Sequence, residues 1–271
     1  MLRALKILLS FLKKDFQNAI SYKLQFISSL FAILFGTFIF FTFSKLFENA
    51  NSPLLQEYNN NYFAFSLIGL ALTDFTFYIA KSINQEIRNG QLNGTFEELI
   101  LASKNHIFIL ISIVSYPVVY GLLRLLFFLL IGIFIFNLEI EIVKGYAYIP
   151  LILVLTILSY LGIALISASY TIIFKSGDPF NSLFFAISGI FGGVIYPVKA
   201  LPEISIFISN FLPITYILES LRACLIQGNE VDINSNFISL SFISLFFMTA
   251  GCLLCSLALK RAKKTGSLIY Y

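Results

Sequence analysis

Two charged residues of opposite sign, Asp74 and Arg124, stand inside long apolar stretches of this 271-residue chain. An unpaired charge near a bilayer centre costs at least about 2.5–3.5 kcal/mol. If both stretches cross as antiparallel helices, Asp74 lies slightly inward of its midpoint and Arg124 slightly outward. At a rise of about 1.5 Å per residue the offset is within reach of an Arg side chain. The spacing predicts an Asp74–Arg124 pair, within one subunit or across an oligomer. Its first role is a tie between helices, and a proton or substrate relay is the alternative.

Other reactive residue types are sparse. Cys252 and Cys255 form a C-x-x-C, yet they sit in apolar helical sequence, and the chain's single His is His106. They read as small packing residues rather than a redox or metal pair. Neither a G-x-x-x-x-G-K-[ST] phosphate loop nor an H-E-x-x-H occurs. Acidic residues are scattered through loop sequence, with Glu139-x-Glu141 the nearest approach to a pair, and read as solvated charges. No catalytic residue, metal site or cofactor is expected in this chain.

The elements that carry these residues are membrane helices. The chain is 58% apolar and only 12% charged, against about 25% charged in soluble domains. A net charge of +4 is too small to imply a nucleic-acid partner. The pattern predicts an all-α integral membrane protein with spans at about 26–44, 62–81, 107–136, 148–174, 180–197 and 237–259. Residues 1–25 form a separate basic amphipathic helix. Leu5, Leu8, Leu9, Leu12, Phe16 and Ile20 share one face of it; Arg3, Lys6, Lys13 and Lys14 share the other. Such a helix lies in the membrane interface against lipid headgroups. With the N-terminus inside, most of the 18 Lys and Arg fall in inner segments, so both termini are expected in the cytoplasm.

Two interruptions carry motifs. In the inner loop after the second span, Gly90 and Gly94 are expected to break the descending helix, and Thr95-Phe96-Glu97-Glu98 has capping-box spacing. Glu97 and Glu98 suit the positive end of a short new helix over about 95–103. In "YPVKALPEISIFISNFLP", Pro197, Pro202 and Pro213 stop and restart helices while apolar residues fill the gaps. Broken backbone at membrane depth is tolerated only when packed in protein or lining a cavity. Residues 198–228 therefore read as a re-entrant helical hairpin dipping from the outer face, with Glu219 and Arg222 able to pair near its wet end.

The segment "SGIFGGVIYPVKALP…FLPITYILESLRACLIQG" resembles the C-terminal signature of ABC-2 type permeases, the membrane subunits of many ATP-binding-cassette exporters. Gly193, Pro197, Leu201, Pro202, Pro213, Thr215, Tyr216, Leu221, Arg222 and Gly228 occupy the motif positions. Gly94-Thr95-Phe96-Glu97 is similar to the family's Gly-Thr-Leu-Glu segment, with Phe96 in place of Leu.

The resemblance implies a permease that pairs with a second permease subunit, identical to it, and recruits two cytoplasmic ABC ATPase subunits. ATP and Mg would sit on the ATPase. Residues 95–103 would be the coupling helix, through Gly94, Thr95, Phe96, Glu97 and Glu98. The hairpin would be an outer gate, built on Gly193, Pro197, Leu201, Pro202, Pro213, Thr215, Tyr216, Glu219 and Arg222. The pattern looks like the drug- and lipid-exporting branch, so a hydrophobic or amphipathic cargo is expected. The membrane is expected to be a bacterial inner membrane, or that of a plastid. Alternatives are a permease for a lipid-linked polysaccharide, a membrane-embedded lipid-modifying enzyme and a channel. Phe31, Phe35 and Phe38 line one stripe of the first span and read as lipid-facing or packing residues before pathway residues.

Overall fold

The computed structural model describes residues 2–47, 56–58, 61–101, 106–138, 146–175, 178–227 and 233–264. Among them there are helices and no strands. In chain order these are α1 (Leu2–Ser21), α2 (Lys23–Phe47), α3 (Tyr62–Leu92), α4 (Phe96–Leu101), α5 (His106–Ile113), α6 (Ser115–Phe134), α7 (Ile149–Phe174), α8 (Pro179–Phe191), α9 (Glu203–Ser209), α10 (Pro213–Arg222) and α11 (Ile233–Lys264).

Five of the described helical segments are long and apolar enough to cross a membrane: Lys23–Leu46, Tyr62–Leu92, His106–Phe134, Ile149–Phe174 and Ser235–Lys264. The third is broken once, at Val114, whose N–H turns back to the Ile111 carbonyl at 3.1 Å. Pro117 is the cause: it lacks the N–H that would bond Ile113 four residues back.

The expected span over 180–197 is shorter than its apolar run. Helix α8 ends at Phe191 after 13 residues, roughly 20 Å against a hydrocarbon core of about 30 Å. Gly192 and Gly193 follow, and Gly193 takes φ +73°, a left-handed conformation that ends the helix. The six-span expectation thus becomes five long helices, α8, and a bent pair, Glu203–Ser209 with Pro213–Ile226, whose arms meet at 90°.

Helix α3 is the axis of the bundle. Phe65, Phe75, Ile79, Ile83 and Ile87 are buried along its length, and it packs on both α6 and α7. Helix α7 in turn lies closest to α11. Their crossing depends on Gly162 and Gly251: a Cβ on Gly251 would stand 2.4 Å from the Gly162 carbonyl. Cys255 is buried at this end of α11 and Cys252 half-buried, both as free thiols. By contrast α2 is mostly uncovered, and Phe31, Phe35 and Phe38 are all exposed on it.

Helices α1 and α2 are almost continuous, jointed only at Tyr22, whose carbonyl accepts from Phe26 N–H at 3.2 Å. The N-terminal helix therefore ends at Ser21, and the first long helix starts earlier than 26. Helix α1 has three faces rather than two. Leu9, Phe16 and Ile20 are exposed and apolar, Lys6 and Lys13 are exposed and basic, and Ile7, Leu8 and Phe11 turn partly inward, where α1 packs on α5 and α6. Lys14 is tied to Glu86 of α3.

Candidate functional site

The two motif regions lie at opposite ends of α3. At its N-terminal end Phe65 meets the hairpin; its C-terminal residue, Leu92, leads into α4.

At the hairpin end, the irregular backbone after α8 exposes carbonyls that no helix satisfies. Arg222, from the last turn of α10, supplies the donors. Its Nη1 donates to the Gly193 carbonyl at 2.7 Å, and Nη2 donates to Val194 at 3.0 Å and to Phe65 at 2.8 Å. The guanidinium also lies over the Phe65 ring, 3.4 Å from its centroid. Arg222 is only 2% exposed. The sequence placed it near a wet end beside Glu219; the structure places it in the packed interior, because the break in α8 creates acceptors there. Bonds of this charge-assisted kind contribute about 1.5–3 kcal/mol each. A close approach makes them reachable: a Cβ on Gly69 would stand 2.1 Å from the Val194 oxygen.

The prolines do distinct work. Pro197, extended at ψ 140°, opens a single 3-10 turn over Val198–Ala200 that Leu201 closes. Pro202 then opens α9, its carbonyl accepting from Ser205 and Ile206 N–H groups at 2.8 and 3.1 Å. Pro213 sits at the first turn of α10, where its missing N–H costs nothing. The 90° corner is pinned by two side chains reaching backward. Thr215 Oγ1 donates to Ser209 O at 3.0 Å, and Tyr216 Oη donates to Asn210 O at 3.2 Å. Glu219 is half-buried on the same helix, and Ile204 and Phe207 stand exposed on α9. Beyond Arg222 the helix widens into a π-helical turn over 223–227; Gly228 lies outside the described residues.

Midway along α3, Asp74 meets Arg124 of α6 in a two-pronged pair. Arg124 Nε donates to Oδ2 at 2.7 Å and Nη2 to Oδ1 at 2.8 Å. The guanidinium also lies over the rings of Tyr78 and Tyr120, 4.9 and 5.7 Å from their centroids.

At the α4 end, Gly94 has φ +70° and closes α3 in a Schellman turn. Thr95 N–H donates to Gly90 O at 2.8 Å and Gly94 N–H to Gln91 O at 3.4 Å. Gly90 is not a break: it lies within α3, and Phe96 packs against it. Phe96 is 1% exposed and Ile100 is fully buried. The surface that this corner turns outward is Leu92, Asn93, Gly94, Thr95 and Glu98, with Glu97 half-buried. Residues 102–103, expected to extend the helix, lie outside the described residues. His106 ties this corner together. Its Nδ1 lies 2.7 Å from the Ile100 carbonyl and its Nε2 2.6 Å from Lys263 of α11.

Sequence reasoning missed a polar cluster joining α3, α7 and α8. Asp178 caps α8 through Asn181 N–H at 3.1 Å and accepts from Ser167 Oγ at 2.7 Å. Ser167 in turn accepts from Asn84 at 2.8 Å. An Asp directly before Pro179 is a helix-start signal, and it was the available clue. Electrostatics outside the spans centre on α1. Burial works against the Lys14 ammonium, but Glu86 and then Asp15 outweigh it and raise its pKa. Burial likewise raises the Asp15 carboxyl, with Glu86 adding and Lys14 opposing.

A family model described as "ABC-2 type transporter" matches residues 7–226, from α1 through the turn that follows α10. No curated protein matches the chain.

Proposed function

The chain belongs to the ABC-2 type transporter family and is thus a membrane subunit that works with ABC ATPase partners; from that premise we propose an export permease for a hydrophobic or amphipathic cargo. Its α4 end seats on the ATPase, and its hairpin is the gate on the far side. The observation that carries this reading is the placement of two differently built breaks at opposite ends of one buried helix, α3. One break is locked inward by Arg222. The other turns Leu92, Thr95 and Glu98 outward. A rigid helix between them can carry a push from one to the other.

In this reading α1 lies in the cytoplasmic interface, Leu9, Phe16 and Ile20 in the acyl region and Lys6 and Lys13 towards headgroups and water. Both termini are cytoplasmic, or stromal in a plastid. Two ATPase subunits and a second, identical permease complete the assembly. The bent pair and α8 each occupy part of the membrane depth, which accounts for the apolar residues that the hairpin exposes. The Asp74–Arg124 pair is a structural tie between α3 and α6. Chemistry on ATP and Mg belongs to the partner.

The test is co-purification with the cognate ABC ATPase. Leu92→Ala with Glu98→Arg is expected to release it while the permease keeps its melting temperature. Undiminished co-purification in that double variant removes α4 as the contact.

A further inference from the structure

Between α1, α2, α3 and α6 lies a cavity of about 410 Å³, within the size range of small-ligand sites. Resting on the export reading above, we propose that it binds the cationic headgroup of an amphiphile entering from the cytoplasmic leaflet.

Three observations carry the proposal. Asp15 of α1 and Glu86 of α3 are the only charged residues among the described ones that line the cavity. Lys14 bridges them from outside its walls, bonded to Glu86 and 3.6 Å from Asp15. Two carboxylates against one ammonium leave a net negative charge in a place that is partly shielded from water, where Coulomb attraction is strong. An anionic headgroup is repelled by the same pair.

Tyr78, Tyr116 and Tyr120 share the lining with these carboxylates, alongside amide and hydroxyl side chains such as Asn18, Gln25 and Ser82. Tyr116 and Tyr120 stack with rings 5.7 Å apart and 11° from parallel, and Tyr78 meets Tyr120 edge-on at 5.3 Å. Ring faces beside carboxylates form the arrangement that holds an alkylammonium. Arg124 already lies over Tyr78 and Tyr120, its charge matched by Asp74. Tyr116 carries no such cation among the described contacts and is the ring open to a ligand.

The third observation is the exposed aromatic edge of the lining. Tyr22 and Phe26 line the cavity at the joint of α1 with α2, and both are exposed. A headgroup held at Asp15 and Tyr116 leaves its tail an apolar exit at that joint, at the level where α1 meets the lipid.

The experiment uses the full chain purified in a maltoside detergent, with radiolabelled dodecyltrimethylammonium as probe. Saturable binding of one molecule per chain, above that of empty micelles, is expected, displaced by tetramethylammonium. The carbon isostere, in which a tert-butyl group replaces trimethylammonium, is expected not to compete. Asp15→Asn and Tyr116→Leu should each weaken binding about tenfold, and Tyr116→Phe should retain it. Phe35→Leu, on the uncovered face of α2, serves as the neutral control. Equal competition by the isostere on the unmodified chain overturns the proposal, whatever the variants do. So does absence of saturable binding, the result expected if the cavity prefers the sugar headgroup of the detergent. Co-purification with the ATPase is scored separately. Failure of the unmodified chain to co-purify, with cation binding intact, removes the export reading and leaves the site; co-purification without cation binding removes the site alone.

Discussion

Arg222 Nη1 lies 2.7 Å from the carbonyl of Gly193, twenty-nine residues earlier in the chain and at φ +73°. That bond, with those to Val194 and Phe65, lets the backbone break inside the packed bundle without leaving these carbonyls unpaired. Arg222→Ala removes all three donors and is expected to lower stability by about 3–5 kcal/mol. Thermal melts of the purified chain measure it. Arg222→Lys carries the charge without the planar fork and should recover only part of the loss. Full recovery by Lys means that charge alone suffices.

Gly69 admits this arrangement, since any Cβ there meets the Val194 oxygen at 2.1 Å. Gly69→Ala should therefore lower the melting temperature by an amount comparable to loss of Arg222. An unshifted melt means that the hairpin sits farther from α3.

Asp74 and Arg124 form a tie whose partners are each costly alone. Asp74→Asn leaves a buried guanidinium without its carboxylate and should cut the yield of folded protein, at a cost of about 3–5 kcal/mol. The exchanged pair, Asp74→Arg with Arg124→Asp, should restore much of it. If expression of both single variants equals that of the unmodified chain, the tie is dispensable.

At α4, the buried and exposed positions predict different failures. Phe96→Ala empties a site packed against Gly90 and should destabilise the chain by about 3 kcal/mol. Glu98→Arg should leave the melt unchanged and reduce ATPase co-purification. A Glu98→Arg chain that co-purifies normally points the contact elsewhere.

Acid should weaken cation binding in the α1 cavity. Asp15 titrates above its ordinary 3.8 because burial and Glu86 disfavour its charge. Its negative charge is present above that raised pKa and lost as pH falls through it. Binding of dodecyltrimethylammonium should begin to fall at a higher pH than a free aspartate would give, and Asp15→Asn should flatten that part of the profile. Lys14 works at the other extreme. Its pKa lies above 10.5, so its positive charge holds through neutral pH and is lost in strong alkali.

Long apolar runs, the basic face of α1 and the proline punctuation were legible in the sequence because each depends on local residue type and period. From these came the helical membrane class, the family resemblance, the bent pair and the reach between Asp74 and Arg124. The tertiary structure alone decided where the side chains of the motifs point. Arg222 looks like a wet-end residue until α8 stops at Phe191 and leaves carbonyls beside it. Phe96 looks like a contact for a partner until Gly90, an intact part of α3, lets α4 fold its aromatic inward. Asp15, Glu86 and Tyr116 come from three separate stretches, and no spacing rule joins them. Sequence periodicity sets which residues share a face of one helix; which faces meet depends on packing between helices distant in the chain, and that is where the hairpin clamp and the cavity arise.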